Sequence, residues 1–196
     1  MVKEKPEQIY IVITQTGTVL SRILKFITGA DYNHVSIGLS GDLQAMYSFG
    51  RKHPYNPFWG GFVTESPNFG TFKRFRNTEA IILALNIGQA KHQQITDMIN
   101  EMILNRKKYH YNYVGLLFAA FNIYIKGKNR YYCSEFVKYI LSEHNIEGSD
   151  KLSDIVKPIS FMDIPCTKQI YSGRLKDYSE FYNKNTEPQA VLFSGD

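Results

Sequence analysis

His34-Val35-Ser36-Ile37-Gly38-Leu39 alternates strictly between an apolar set, Val35, Ile37 and Leu39, and a second set made of His34, Ser36 and Gly38. A period of two is that of a half-buried strand whose apolar face meets a core. Its other face carries an imidazole followed by two small residues, so the ring looks into a cleft rather than into the main core; a hydrogen-bonded strand histidine is the alternative. Ser40-Gly41-Asp42 has turn chemistry, and Leu43 to Phe49 reads as a second strand, which makes the pair a hairpin. Upstream, Gln8 to Thr14 is rich in β-branched and aromatic residues and reads as a strand ended by Gln15-Thr16-Gly17. Val19, Leu20, Ile23, Leu24 and Ile27 then recur at helical spacing, with Gly29 as the stop.

Downstream, Arg51 to Phe62 contains Pro54, Pro57, Gly60 and Gly61 but also Tyr55, Phe58, Trp59 and Phe62, the composition of a packed aromatic flap. Strands are expected at Phe69 to Arg76 and Ala80 to Asn86. A long helix is expected from about Ala90 to Arg106, with Ile95, Met98, Ile99, Met102 and Ile103 on one stripe. Val114 to Ile125 is nearly apolar over twelve residues, short of the roughly 20 that span a bilayer, and reads as part of a buried helix over Tyr113 to Ile125. Gly127 to Arg130 breaks it, and Phe136, Val137, Ile140 and Leu141 mark a third helix to about Glu143. The tail from Asp150, with Pro158, Pro165, Gly173 and Pro188, shows few periodic segments. The expectation is one α+β domain over residues 1–196, with a core at about 8–145 and a tail at about 150–196 packing on it.

The chain's 196 residues are long enough to bury a core without staples, so its 2 cysteines need no disulfide role. The start is charged and lacks a signal-peptide core, which points to the cytoplasm and to reduced thiols. Twenty-three cations against 18 carboxylates give a net charge of +5, a mild excess that favours anionic substrates or a membrane surface without deciding between them. Tyr, Phe and Trp make up 14% of the residues, which asks for many half-buried rings and suggests a lined groove. Basic runs such as Lys73 to Arg76 and Arg106 to Tyr109 read as solvated faces, and no nucleic-acid partner is expected. No cofactor or metal is expected either: the two cysteines lie 33 residues apart, and neither closed-zinc spacing nor a phosphate loop occurs.

Cys133, in Tyr131-Tyr132-Cys133-Ser134-Glu135-Phe136-Val137, falls in the first turn of the third helix. Unpaired backbone N–H groups and the helix dipole favour an anion there, and a thiol so placed beside an imidazolium ionises more readily than a free one. The alternative is a small residue packing a helix end. His92, His110 and His144 have packing or surface readings, and His53 lies in the aromatic flap. A Cys at a helix start and a His on a facing strand are the two halves of a thiol dyad. Cys166, between Pro165 and a charged segment, has neither a helix start nor a partner.

The hairpin at His34 to Leu39, followed 99 residues after the His by Tyr132-Cys133-Ser134-Glu135-Phe136-Val137, resembles the circularly permuted branch of the NlpC-type cysteine peptidases. That branch includes the YiiX/YaeF-like permuted papain-fold amidases and relatives of lecithin:retinol acyltransferase. In ordinary papain-like enzymes the Cys helix precedes the His strand; here the His comes first. The resemblance covers roughly Ile9 to Leu141 and implies a permuted papain-like fold, an antiparallel sheet packed against the Cys helix. It further implies Cys133 as nucleophile, His34 as general base, and a third polar residue on the strand after the His to orient the ring.

Allowing one extra residue in the turn, that third position is Tyr47; a register shift of one residue makes it Ser48, and a ring merely packed on the sheet is the alternative for Tyr47. A phenol in that role stabilises an imidazolium less than a carboxylate does. The Cys133 backbone N–H is the first oxyanion donor, and the Gln15 side chain is a weaker candidate that reads more readily as a turn cap. The expected function is a cysteine hydrolase of amidase or peptidase type acting through an acyl-enzyme on a small amide, peptide or ester. The alternatives are a lipid acyltransferase or phospholipase of the same family, with a lipid-ester substrate and peripheral membrane contact, and a binding module without turnover. The oligomeric state stays open.

Overall fold

The structure, a computed structural model, describes residues 7–16, 31–53, 56–119 and 121–186. It is a mixed α+β arrangement around one eight-stranded, mostly antiparallel sheet. Strands β1 (Gln8–Gln15), β2 (His34–Gly38), β3 (Met46–His53), β4 (Asn56–Glu65) and β5 (Glu79–Asn86) are joined by β6 (His110–Tyr111), β7 (Arg130–Tyr131) and β8 (Thr167–Arg174). Their order across the sheet is β7-β6-β4-β3-β2-β1-β5-β8, with β6 and β7 the parallel pair. The helices are α1 (Gly70–Arg74), α2 (Gln89–Leu104), α3 (Tyr113–Ala119), α4 (Cys133–Glu143) and α5 (Tyr178–Thr186), with short 3-10 turns between them.

The central strands are apolar on both faces because both faces are covered. In β5, Ile81, Leu83 and Leu85 face the larger core with Ile9, Ile11 and Ile13 of β1, while Ala80 and Ile82 join Val12 in a second core. The larger core is closed by Ile95, Ile99 and Met102 of α2 and by Phe136, Val137, Ile140 and Leu141 of α4. These residues recur every three or four positions, so each helix buries a single stripe. The second core is closed by Phe72 of α1, Leu175 and Tyr178, whose hydroxyl donates to the Gly41 carbonyl at 2.7 Å.

Several elements differ from the sequence expectation. The aromatic flap is a hairpin of β3 and β4, paired from Met46↔Glu65 to His53↔Asn56. The expected strand at Phe69 to Arg76 is α1, which starts at Gly70 in the left-handed region (φ 63) and turns Phe72 into the second core. The apolar helix stops at Ala119, not Ile125: Asn122 takes φ 59 and the Ile123 N–H donates back to the Phe118 carbonyl, a left-handed helix stop. It is also exposed rather than buried, with Gly115 its only buried residue among those described. The tail supplies an edge strand, β8, paired along β5 from Leu85↔Thr167 to Glu79↔Arg174. The helix expected from Val19 to Ile27 lies outside the described residues. No helix among the described residues is long and apolar enough to cross a membrane.

Candidate functional site

β2 delivers His34 by alternation. Val35 and Ile37 enter the larger core, so His34 and Ser36 project from the opposite face. The β2–β3 ladder pairs Ile37↔Tyr47 and Gly38↔Met46. Farther along, Ser48 Oγ donates to the Val35 carbonyl at 2.7 Å, a side-chain bond taking over from the ladder. At these parted strand ends Gly50 lies against both His34 and Glu65. A Cβ there would sit 3.3 Å from Glu65 Oε1 and 3.6 Å from His34 Cε1, so any larger residue would press on the pair.

Glu65, the last residue of β4, closes on the imidazole. His34 Nε2 lies 2.9 Å from Glu65 Oε2 and 3.1 Å from Oε1, and Ser36 Oγ donates to Oε2 at 2.6 Å. The side chains are 17% and 13% exposed, so the pair is shielded but reachable from solvent. Burial disfavours both charges, yet mutual attraction prevails. Against that burial penalty, the Glu65 charge, side-chain hydrogen bonding with Cys133 and to the Glu65 carboxylate, and the Cys133 charge raise His34 from 6.5 to about 10. Glu65, also penalised by burial, is held below the ordinary carboxylate value by the His34 charge, the His34 and Ser36 hydrogen bonds, and Arg51.

Cys133 is the first residue of α4, in which Phe136 and Val137 anchor the helix in the larger core. Its thiol lies close enough to the His34 ring to help hold the ring's proton. Because Nε2 is engaged by Glu65, Nδ1 is the ring nitrogen left for the sulfur. Sγ also lies 4.0 Å from the Asn33 carbonyl. The helix start is fixed by Glu135, whose Oε2 accepts from the Tyr132 N–H at 3.3 Å and from Asn112 Nδ2 at 3.2 Å. The amides of Cys133 and Ser134, in the first turn, have no carbonyl within the helix to bind and are available to an incoming oxygen.

The structure thus brings His34 and Cys133 together and leaves the other sequence candidates aside. Tyr47 corrects to a packing residue: its register partner is Ile37, so alternation turns it toward the larger core, where its ring stacks on Phe62 at 6.4 Å. Ser48 shares the face of His34, but its hydroxyl is spent on the Val35 carbonyl. Gln15 ends β1 opposite Glu79, one position beyond Thr14, the cross-strand neighbour of His34; alternation sends it to the other face. The group that meets the imidazole is Glu65, which the sequence reading did not nominate. Its signal is a lone carboxylate closing Phe62-Val63-Thr64-Glu65, usable only once the flap is read as a strand.

Tyr111 is a second residue that the sequence did not flag. Burial first, then the Cys133, Tyr113 and Tyr132 charges, hold its phenol neutral, and Arg51 only partly opposes them. Gly60 lets it approach: a Cβ there would lie 2.7 Å from the Tyr113 hydroxyl and 3.0 Å from Tyr111 Cβ. Of the flap residues expected to line a groove, Phe62 is buried against Phe49 and Phe136, whereas Trp59 is 59% exposed. Tyr55 lies outside the described residues. His92 Nε2 lies 2.9 Å from the Leu39 carbonyl and His144 Nδ1 2.8 Å from that of Ile140, away from this site. Among the described residues no group of three or more His, Cys, Asp and Glu is arranged to hold a metal ion.

Comparison of the chain with protein-family models, with curated proteins and with solved structures gives no match.

Proposed function

We propose that this chain is a cysteine hydrolase of permuted papain-like architecture, cleaving an amide or ester through an acyl-enzyme. One observation carries the reading: a single imidazole, His34, is held by the Glu65 carboxylate at Nε2 and lies beside a thiol in the first turn of a helix. The order, His strand first and Cys helix later, is that of the permuted branch. The group holding the ring is a carboxylate, which supports an active thiol rather than a decayed binding module.

In this reading the dyad reacts in its thiolate–imidazolium form, with the proton on the His34 ring beside Glu65. The Cys133 sulfur attacks the carbonyl carbon and the C=O electron pair moves onto oxygen, which the first-turn amides receive. Tyr111, kept neutral, is the donor expected to assist from the side chain. As the C–N or C–O bond breaks, the imidazolium passes its proton to the leaving amine or alcohol. Neutral His34 then takes a proton from water. The resulting hydroxide attacks the thioester, the acid departs, and the thiolate–imidazolium pair is restored. Ser36 and Arg51 act through Glu65 as positioning groups.

The test is iodoacetamide labelling at pH 6, followed by mass spectrometry. The expected result is Cys133 alkylated well ahead of Cys166, with His34→Ala removing the difference. Equal labelling of the two thiols, unchanged by His34→Ala, would sink the proposal. Panels of peptide amides and lipid esters, read by a thioester adduct on Cys133, then separate the amidase from the acyltransferase reading.

A further inference from the structure

The strands β6 and β7 lie side by side at one edge of the sheet, and the chain between them makes an excursion over residues 112–129. It consists of α3, the turn at Asn122, and a return tied down where Asn112 Nδ2 donates to the Ile125 carbonyl at 3.1 Å. The excursion projects outward. Val114, Leu117, Phe121 and Ile123 are 58%, 59%, 70% and 49% exposed, with Phe118 beside them. Exposed apolar side chains clustered in this way mark an interaction surface. Trp59 adjoins Gly60, against which Tyr113 of α3 packs.

Charge gives this ridge a second, independent character. Between Glu101 and Glu135 there is no carboxylate at all, but there are six cations: Arg106, Lys107 and Lys108 before the apolar stretch, and Lys126, Lys128 and Arg130 after it. All six are exposed. The remaining 17 cations and 18 carboxylates almost cancel, so the net charge of +5 resides in this one segment.

We propose that the ridge and its flanking cations dock the protein on an anionic lipid membrane. Aliphatic and aromatic side chains at the crest enter the interfacial region while cations on either side meet the headgroups, the pattern of peripheral membrane anchors. A nucleic acid would meet the cations but leave Val114, Leu117 and Ile123 unsatisfied. An apolar groove on a protein partner would meet the crest but give no reason for six cations and no anion. The last cation, Arg130, is three residues before Cys133, so docking would bring the thiol to the lipid surface. That consequence for substrate rests on the proposed hydrolase; the docking does not.

Trp59 is the only tryptophan in the chain, which makes the full-length protein its own reporter. It is mixed with vesicles of phosphatidylcholine alone or with about one-third phosphatidylglycerol, and flotation is measured alongside Trp fluorescence. Flotation with the anionic vesicles, a blue shift and protection from acrylamide are expected, all weakened by high salt. Leu117→Asp combined with Phe121→Asp, and separately Lys126→Gln with Lys128→Gln and Arg130→Gln, should each lower the bound fraction at least about tenfold. Melting curves check that the folds persist, and Ile159→Asp, at another exposed apolar position, should bind as wild type.

Absence of binding to anionic vesicles, or equal binding by the crest variant, overturns the proposal. So does a dimer in light scattering that Leu117→Asp dissolves without any vesicle binding, which would assign the ridge to a second copy. Salt-sensitive capture of single-stranded RNA without vesicle binding would assign it to nucleic acid. Cys133→Ala should float as wild type, so an inert thiol leaves the docking result standing, and failed docking leaves the thiol chemistry standing.

Discussion

Cys133 and Cys166 are the two thiols of the chain, and the more exposed of them has the weaker case for reactivity. Cys166 is half-buried just before β8, with Sγ 3.5 Å from the Glu147 carbonyl; burial above all, and then the Glu147 charge, push its thiol up against the opposing backbone hydrogen bond and Lys91. Cys133 is buried, yet it begins a helix and lies beside a ring that Glu65 keeps protonated to about pH 10. The difference lies in charge rather than access: one sulfur has an imidazolium as neighbour and the other a carboxylate. The first way to break the comparison is to remove each thiol. Cys133→Ala should lower hydrolysis by at least about 10⁴-fold, whereas Cys166→Ala should stay within about twofold. Comparable losses would erase the distinction.

Glu65→Gln sharpens the same contrast by changing the field and keeping the shape. The expected loss in kcat/KM at pH 8 is about 10²-fold or more, since wrong tautomers and a weaker imidazolium accompany the loss of a carboxylate. The alkaline limb of the pH–rate profile, expected near pH 10 in the wild type, should fall toward 6.5. Tyr47→Phe should leave both unchanged. Stability carries the same signature. His34, raised from 6.5, contributes fully below that value and loses its contribution as pH rises through about 10. Glu65, lowered from 4.5, contributes above that value and loses its contribution as pH falls through its lower folded value. Urea midpoints of wild type and Glu65→Gln should therefore differ most between these two ordinary values and converge toward pH 10.

His34 and Cys133 could be found in the sequence because each rests on a local signal, strand alternation in one case and the onset of a helical stripe in the other. Glu65 could not, because its position depends on pairing. Pro57, Gly60 and Gly61 gave its strand the composition of a loop, although the two glycines serve close approach, by Tyr111 and Tyr113 at Gly60 and by Lys52 at Gly61. Only the register Met46↔Glu65 puts the carboxylate on the face of His34, and the same register sends Tyr47 to the other. β8 was illegible for a related reason: as an edge strand it buries too little to show alternation. α3 misled in the opposite direction, since an apolar run shows what a helix would bury but not whether anything covers it.

Tyr111 tests the surroundings of Cys133 on a smaller scale. If the neutral phenol donates to the developing oxyanion, Tyr111→Phe should lower kcat by about tenfold to a hundredfold with KM nearly unchanged. Iodoacetamide labelling, which forms no oxyanion, should proceed as in the wild type. A parallel fall in labelling would show that the ring merely packs the sulfur.

The smallest expected effect belongs to Ser36, which never touches the sulfur. Its hydroxyl donates to Glu65 Oε2 at 2.6 Å, a short bond to a charged acceptor and one of the contacts that hold the carboxyl down. Ser36→Ala leaves the charge on Glu65 but frees it to turn, so the loss should be a few-fold, about 3 to 10, well short of Glu65→Gln. The alkaline limb should move down by less than it does in Glu65→Gln, and Ser36→Thr, which restores the hydroxyl, should recover it. A merely structural serine would lower stability without moving the limb. Moving the limb by one hydrogen bond two positions along β2 from His34 would trace the reactivity of Cys133, and its absence at Cys166, to the field of a single carboxylate.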